Sequence, residues 1–131
     1  MFLGNLTEKE KAAFMCLAEN IIKADGISSE SETIALNNLI QELHMKDEES
    51  KLSFEESCRI LTDSDELIRR GIYIELFSLA MADNIYDSTE KDFLKKIAQQ
   101  FKLPADFPPK AEEWLLEYFS IFQKGIELVS K

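Results

Sequence analysis

The sequence predicts an all-α protein, a single helical bundle of about six to seven helices. Three observations predict it. Apolar residues recur at three- and four-residue spacing along most of the chain. No segment sustains the two-residue alternation of a strand. One helix–acidic turn–helix unit occurs twice: Ala24-Asp25-Gly26-Ile27-Ser28-Ser29-Glu30-Ser31-Glu32 returns 58 positions later as Ala82-Asp83-Asn84-Ile85-Tyr86-Asp87-Ser88-Thr89-Glu90. Asp25 pairs with Asp83 and Glu32 with Glu90. Gly26 pairs with Asn84, the two residue types that best tolerate a left-handed backbone. Leu36, Leu39, Leu43 and Met45 likewise match Leu94, Ile97, Phe101 and Leu103. The pairing predicts a pseudo-twofold relation between halves at about 7–45 and 64–103.

Along the chain, Thr7-Glu8-Lys9-Glu10 reads as a capping box, in which the threonine hydroxyl accepts from a first-turn N–H and the glutamate reaches back. The helix it opens carries Phe14, Leu17, Ala18, Ile21 and Ile22 on one face, and Gly26 stops it. Ser29-Glu30-Ser31-Glu32 opens a second helix that buries Leu36, Leu39, Ile40 and Leu43 and fades at His44-Met45. Residues 46–52 are polar and read as loop. Ser53-Phe54-Glu55-Glu56 opens a short helix through Cys58, Ile60 and Leu61. Thr62-Asp63-Ser64-Asp65-Glu66 starts a longer one, its acids at the positive end of the helix dipole. Ile68, Ile72, Leu76, Leu79 and Ala80 turn inward, and Asn84 ends it. Asp87-Ser88-Thr89-Glu90 starts a helix burying Leu94, Ile97, Ala98 and Phe101. Pro109 sits in the first turn of a last helix, about 109–129.

Composition bounds the class. A chain of 131 residues with 45% apolar content suits one domain, 1–131, with one core. The formal net charge of −10 argues against nucleic acid and against an unaided hold on anionic lipid, and favours cations or basic protein surfaces. Cys16 and Cys58 form no C-x-x-C pair and read as reduced thiols of a cytoplasmic protein. The first eight residues lack the basic region of a signal peptide, and no stretch has the length of a membrane span.

The carboxylates at the turns are the best lead to function. Glu32 and Glu90 occupy capping-box positions, so their own backbone explains them. Asp25 and Asp83 stand at helix C-termini, where the dipole disfavours negative charge by about 0.3–1 kcal/mol. Each needs compensation. The turn amides supply it in the structural reading. A bound cation supplies it in the functional one, with Asp25, Glu32, Asp83 and Glu90 as ligands. Ca²⁺ or Mg²⁺ suits such oxygen donors better than Zn²⁺, since His44 is the only histidine and the thiols are far apart. The loop is too short for an EF-hand. The fold requires no cofactor. There is no glycine-rich phosphate loop, no G-x-S-x-G and no H-E-x-x-H, so the expectation is a protein without enzymatic activity. His44 reads as a helix-end residue.

The last helix carries more apolar residues than one face holds. Leu115, Tyr118, Phe119, Phe122, Ile126 and Val129 form one stripe, and Trp114, Ile121 and Leu128 a second beside it. In the plain reading both stripes are core. In the sharper reading Trp114, Tyr118, Ile121 and Phe122 are a homodimer or partner surface.

The two Ala-Asp-(Gly/Asn)…Glu units, each closing one apolar helix and opening another, resemble the TerB-like tellurite-resistance family. Asp63-Ser64-Asp65-Glu66-Leu67-Ile68-Arg69 resembles the lead into that family's second half. The likeness covers about residues 10–103. It implies an all-helical, non-enzymatic protein of the bacterial cytoplasm, associated with tellurite and other chemical stress. It also implies metal binding through acids, here Asp25, Glu32, Asp83 and Glu90, and membership of complexes near the membrane. Asn84 in place of the usual glycine, and Tyr86 beside it, depart from the family pattern. The Trp114 helix lies outside the likeness. Two functions are consistent with these features: a stress-response module with a divalent cation at paired acidic turns, or a helical adaptor or homodimer acting through its last helix with no metal site.

Overall fold

The computed structural model describes residues 2–23, 30–44, 52–81 and 88–130, with the side chains of residues 23, 30–33 and 35 outside that description. They form six helices: α1 Glu8–Lys23, α2 Glu30–Glu42, α3 Phe54–Thr62, α4 Glu66–Ala80, α5 Ser88–Gln100 and α6 Phe107–Val129. No strand occurs among the described residues. The all-α expectation holds.

Local chemistry sets the helix starts. The Thr7 amide donates to Glu10 Oε1 at 2.8 Å and the Glu10 amide to Thr7 Oγ1 at 3.2 Å, which completes the first capping box. Ser53 caps α3 by accepting from the Glu56 amide at 3.1 Å. Proline in the first turn opens α6. Residues 24–29 and 82–87 lie outside the described residues, and with them the stops at Gly26 and Asn84 and the caps Ser29 and Asp87.

Two helix ends are tied alike. His44 and Lys102 adopt left-handed φ values of 56° and 55°. The His44 amide donates to Gln41 O and the Lys102 amide to Gln99 O, both at 3.1 Å. With the Leu103 amide on Ala98 O at 3.1 Å, the end of α5 is a Schellman turn built without glycine. His44 is thus a helix-end residue, as expected. The surroundings of the two second helices differ, because α5 packs on α3 and α4 whereas α2 packs on α1.

Side-chain ties give the helix directions. Cys16 Sγ donates to Leu52 O at 3.3 Å, beside the start of α3, while the Ser64 hydroxyl, past the end of α3, donates to Glu10 Oε2. Hence α3 runs antiparallel to α1. Phe54 meets Phe93 edge-on at 5.2 Å and the Thr62 hydroxyl donates to Gln100 O at 3.0 Å, so α5 runs with α3. The Arg69 guanidinium donates to Phe101 O at 2.6 Å and Ser64 O at 3.1 Å, binding the start of α4 to the end of α5. Therefore α1 and α4 run one way and α3 and α5 the other. The core between them includes Phe14, Leu17, Ile21, Leu61, Ile72, Leu76, Leu94, Ile97 and Phe101.

The N-terminal segment closes the bundle. The Phe2 amide donates to Glu75 Oε1 at 2.8 Å. A Cβ at Gly71 would lie 2.9 Å from Phe2 Cβ, so glycine is needed there to let the segment pass.

The Glu10 carboxylate accepts from two donors, the Ser64 hydroxyl and the Thr7 amide, while the Glu10 amide donates to the Thr7 hydroxyl. Burial raises its pKa, but the hydrogen bonds from Ser64 and Thr7 outweigh that and hold it below its ordinary 4.5. Because the native value is the lower one, this stabilisation is complete above about pH 4.5 and is lost as pH falls through the native value. Glu10→Gln is expected to cost about 1–2 kcal/mol and a few degrees of Tm at pH 7. The gap to wild type narrows on acidification in paired thermal melts.

Candidate functional site

Of the four proposed cation ligands, Asp25 and Asp83 lie outside the described residues. Glu32 belongs to α2, its side chain also outside the description. Glu90 is the described member. It stands in the first turn of α5 and is only 2% exposed. That position is favourable for a carboxylate, because the amide ends of the helix carry positive potential. The described residues contain no group of three or more His, Cys, Asp or Glu side chains able to hold a metal.

The second candidate surface is α6. Its 23 residues extend about 35 Å at the usual rise. Among the described residues the helix is anchored through its first half. Phe107 packs on Tyr73 at 5.8 Å and lies under the Arg70 guanidinium at 5.1 Å, and Trp114 meets Phe2 at 6.0 Å. Ala111 and Leu115 are buried and Phe119 is partly so. Beyond Phe119 every described residue of the helix is exposed. Ile121 is 69%, Phe122 57% and Leu128 77% exposed. Trp114, Tyr118 and Phe122 stack along the outside, with centroids 5.6 and 6.3 Å apart. The plain expectation that both stripes are core is therefore corrected. The bundle is too short to cover the helix, and it reaches only Leu115 and part of Phe119.

A groove of about 470 Å³ separates α5 from the start of α6. Tyr73, Phe77, Leu94, Pro104 and Pro108 line it, with Lys91, Lys95 and Glu112 as its charged residues. These supply an apolar floor and a cationic edge, not a nucleophile with its base. Sequence reasoning missed this groove, since its lining comes from three separate stretches.

Cys16 and Cys58 are both buried and free. Burial, countered in part by Lys96, pushes the Cys58 thiol up to about 11. It stays protonated at neutral pH, and its contribution to stability is present below pH 9 and lost as pH rises through about 11. These are packing groups, more fully buried than the sequence suggests.

Six helices around one core, with acids in the first turns of α2 and α5, define a small all-α module. Residues 9–108 match the family model described as tellurite resistance protein TerB. The chain belongs to the TerB family. Neither a curated protein nor a solved structure shows a detectable match. The family match ends at Pro108, so nearly all of α6, with its exposed aromatic face, lies beyond it. Among the described residues no helix is long and apolar enough to cross a membrane.

Proposed function

We propose that this chain is a non-enzymatic module of the TerB family that works by protein contact through α6, with a divalent cation at the acidic turns as its regulator. One observation carries the reading: half of a long amphipathic helix presents its apolar face to solvent. Exposed apolar patches of more than a few hundred Å² mark interaction sites. A role in tellurite or other chemical stress, in the bacterial cytoplasm, is the family's association and belongs to the same proposal; the fold alone does not imply it.

Two features support the cation half. Glu90, one of the four acids, is buried in the first turn of α5, directly after the second acidic stretch. Helices α1 and α4 start together at the Glu10–Ser64 bond and run the same way, and each leads into an aspartate-bearing stretch. In this reading Ca²⁺ or Mg²⁺ would relieve repulsion among the four acids. The groove offers less to an enzymatic reading, because its charged residues are two lysines and a glutamate.

Calorimetric titration tests the regulator. Wild type is expected to bind Ca²⁺ or Mg²⁺ more tightly than Zn²⁺, and Asp25→Asn with Asp83→Asn to weaken that binding at least about tenfold. A double variant that binds as wild type removes the turns from the account. Ile121→Ser tests the face: Tm within about 2 °C of wild type assigns it to contact, and a fall of about 10 °C or more assigns it to the core.

A further inference from the structure

Resting on the reading of α6 as a contact face, we propose that its partner is a second copy of this chain, held as an antiparallel pair of α6 helices. Trp114, Tyr118, Ile121, Gly125 and Leu128 succeed one another at intervals of four, three, four and three residues. That is the spacing of a coiled-coil seam. Leu115, Phe119, Phe122, Ile126 and Val129 repeat the same spacing one position on. This second seam begins on the body, at the buried Leu115. The first lies about 100° round the helix from it, touches the body where Trp114 meets Phe2, and is exposed along its outer half.

The area is that of a stable dimer. On the sides of the helix that the two seams occupy, Trp114, Tyr118, Ile121, Phe122, Ile126, Leu128 and Val129 are each between 38% and 84% exposed. Taking about 150–250 Å² for a whole aromatic side chain and somewhat less for an aliphatic one, they expose on the order of 800 Å². One partner contributes about 800 Å² to a standard-size interface.

Gly125 points to a helix as the occupant. Glycine inside a helix is unfavourable relative to alanine, a cost that a packing role would explain. Here a Cβ would meet nothing of its own chain within 4 Å. A second α6 supplies the reason. If Tyr118 lies opposite Ile121 of the second copy, antiparallel order brings Trp114 opposite Gly125. The largest side chain of the seam then covers the residue that has none.

The charges select that register. Glu117 and Lys124 occupy equivalent positions, seven residues apart, on one flank of the seam. With Tyr118 opposite Ile121, Glu117 meets Lys124 of the second copy and Lys124 meets its Glu117, an ion pair made twice. Sliding by one heptad either way sets Glu117 against Glu117 or Lys124 against Lys124, which like-charge repulsion disfavours. The arrangement is self-complementary and closes at two chains. It also lets a chain of net charge −10 self-associate at a spot where its flanking charges alternate in sign.

Sedimentation equilibrium on the full chain and its variants tests the pairing. Wild type is expected to dimerise. Lys124→Glu or Glu117→Lys alone is expected to weaken the dimer about tenfold or more, and the two together to restore it to within about threefold. Gly125→Leu is expected to abolish it. A dimer indifferent to all these changes overturns the pairing. So does a monomer at concentrations up to about 1 mM. In that case hydrogen exchange over residues 120–129 separates the two failures. Fast exchange overturns the second copy and leaves α6 open to another partner. Slow exchange in a monomer overturns the contact reading as well.

Discussion

The fold rests on the joint start of α1 and α4. Glu10 belongs to the first turn of α1, and its carboxylate accepts from the Thr7 amide of its own capping box and from the hydroxyl of Ser64, next to the α4 cap. One side chain therefore closes a helix end and fastens two helices that are 43 residues apart at their nearest ends. The hydrogen bonds overcome the cost of burying the charge and keep the group ionised. With α1 and α4 packed side by side, α3 returns antiparallel along α1, and α5 runs with α3 and packs on α3 and α4. Arg69 secures the far side by donating to Phe101 O and Ser64 O. Polar ties at the ends thus orient helices that the apolar core holds together.

This arrangement connects to the family. Residues 9–108 take in α1 through α5, including the four helices, α1, α3, α4 and α5, whose directions those ties show. The chain beyond Pro108 is a different kind of element. Among the described residues, the first half of α6 packs on the bundle, through Phe107, Ala111, Trp114, Leu115 and in part Phe119. The rest is amphipathic without a core to face.

Much of this was legible in the sequence, for identifiable reasons. Thr7 and Glu10 announced α1 because a capping box uses only residues four positions wide. Phe14, Leu17, Ile21, Ile72, Leu76, Leu94 and Ile97 were assigned inward from helical spacing, and all are buried. The bounds of α2 and α5 lie 58 positions apart, as do His44 and Lys102, but α2 packs on α1 and α5 on α3 and α4, so the pseudo-twofold relation between halves is not established. Other features were illegible. No local pattern pairs Glu10 with Ser64 or Phe2 with Gly71, since those contacts depend on how helices cross. Periodicity marked both stripes of α6 as apolar but says nothing about how far the bundle reaches, so it did not separate the buried Leu115 from the exposed Phe122. Of the candidate site, the position of Glu90 in a first turn was legible and its burial was not.

The account depends on a bundle that is complete without the outer half of α6. Shortening the chain after Ser120 measures this most directly, by thermal melting monitored with circular dichroism. The account predicts a single cooperative transition within about 5 °C of wild type, independent of protein concentration, because the deleted residues bury nothing in the core. A shortened chain that is unfolded, or that melts without cooperativity, would show that those residues complete the core and would contradict it.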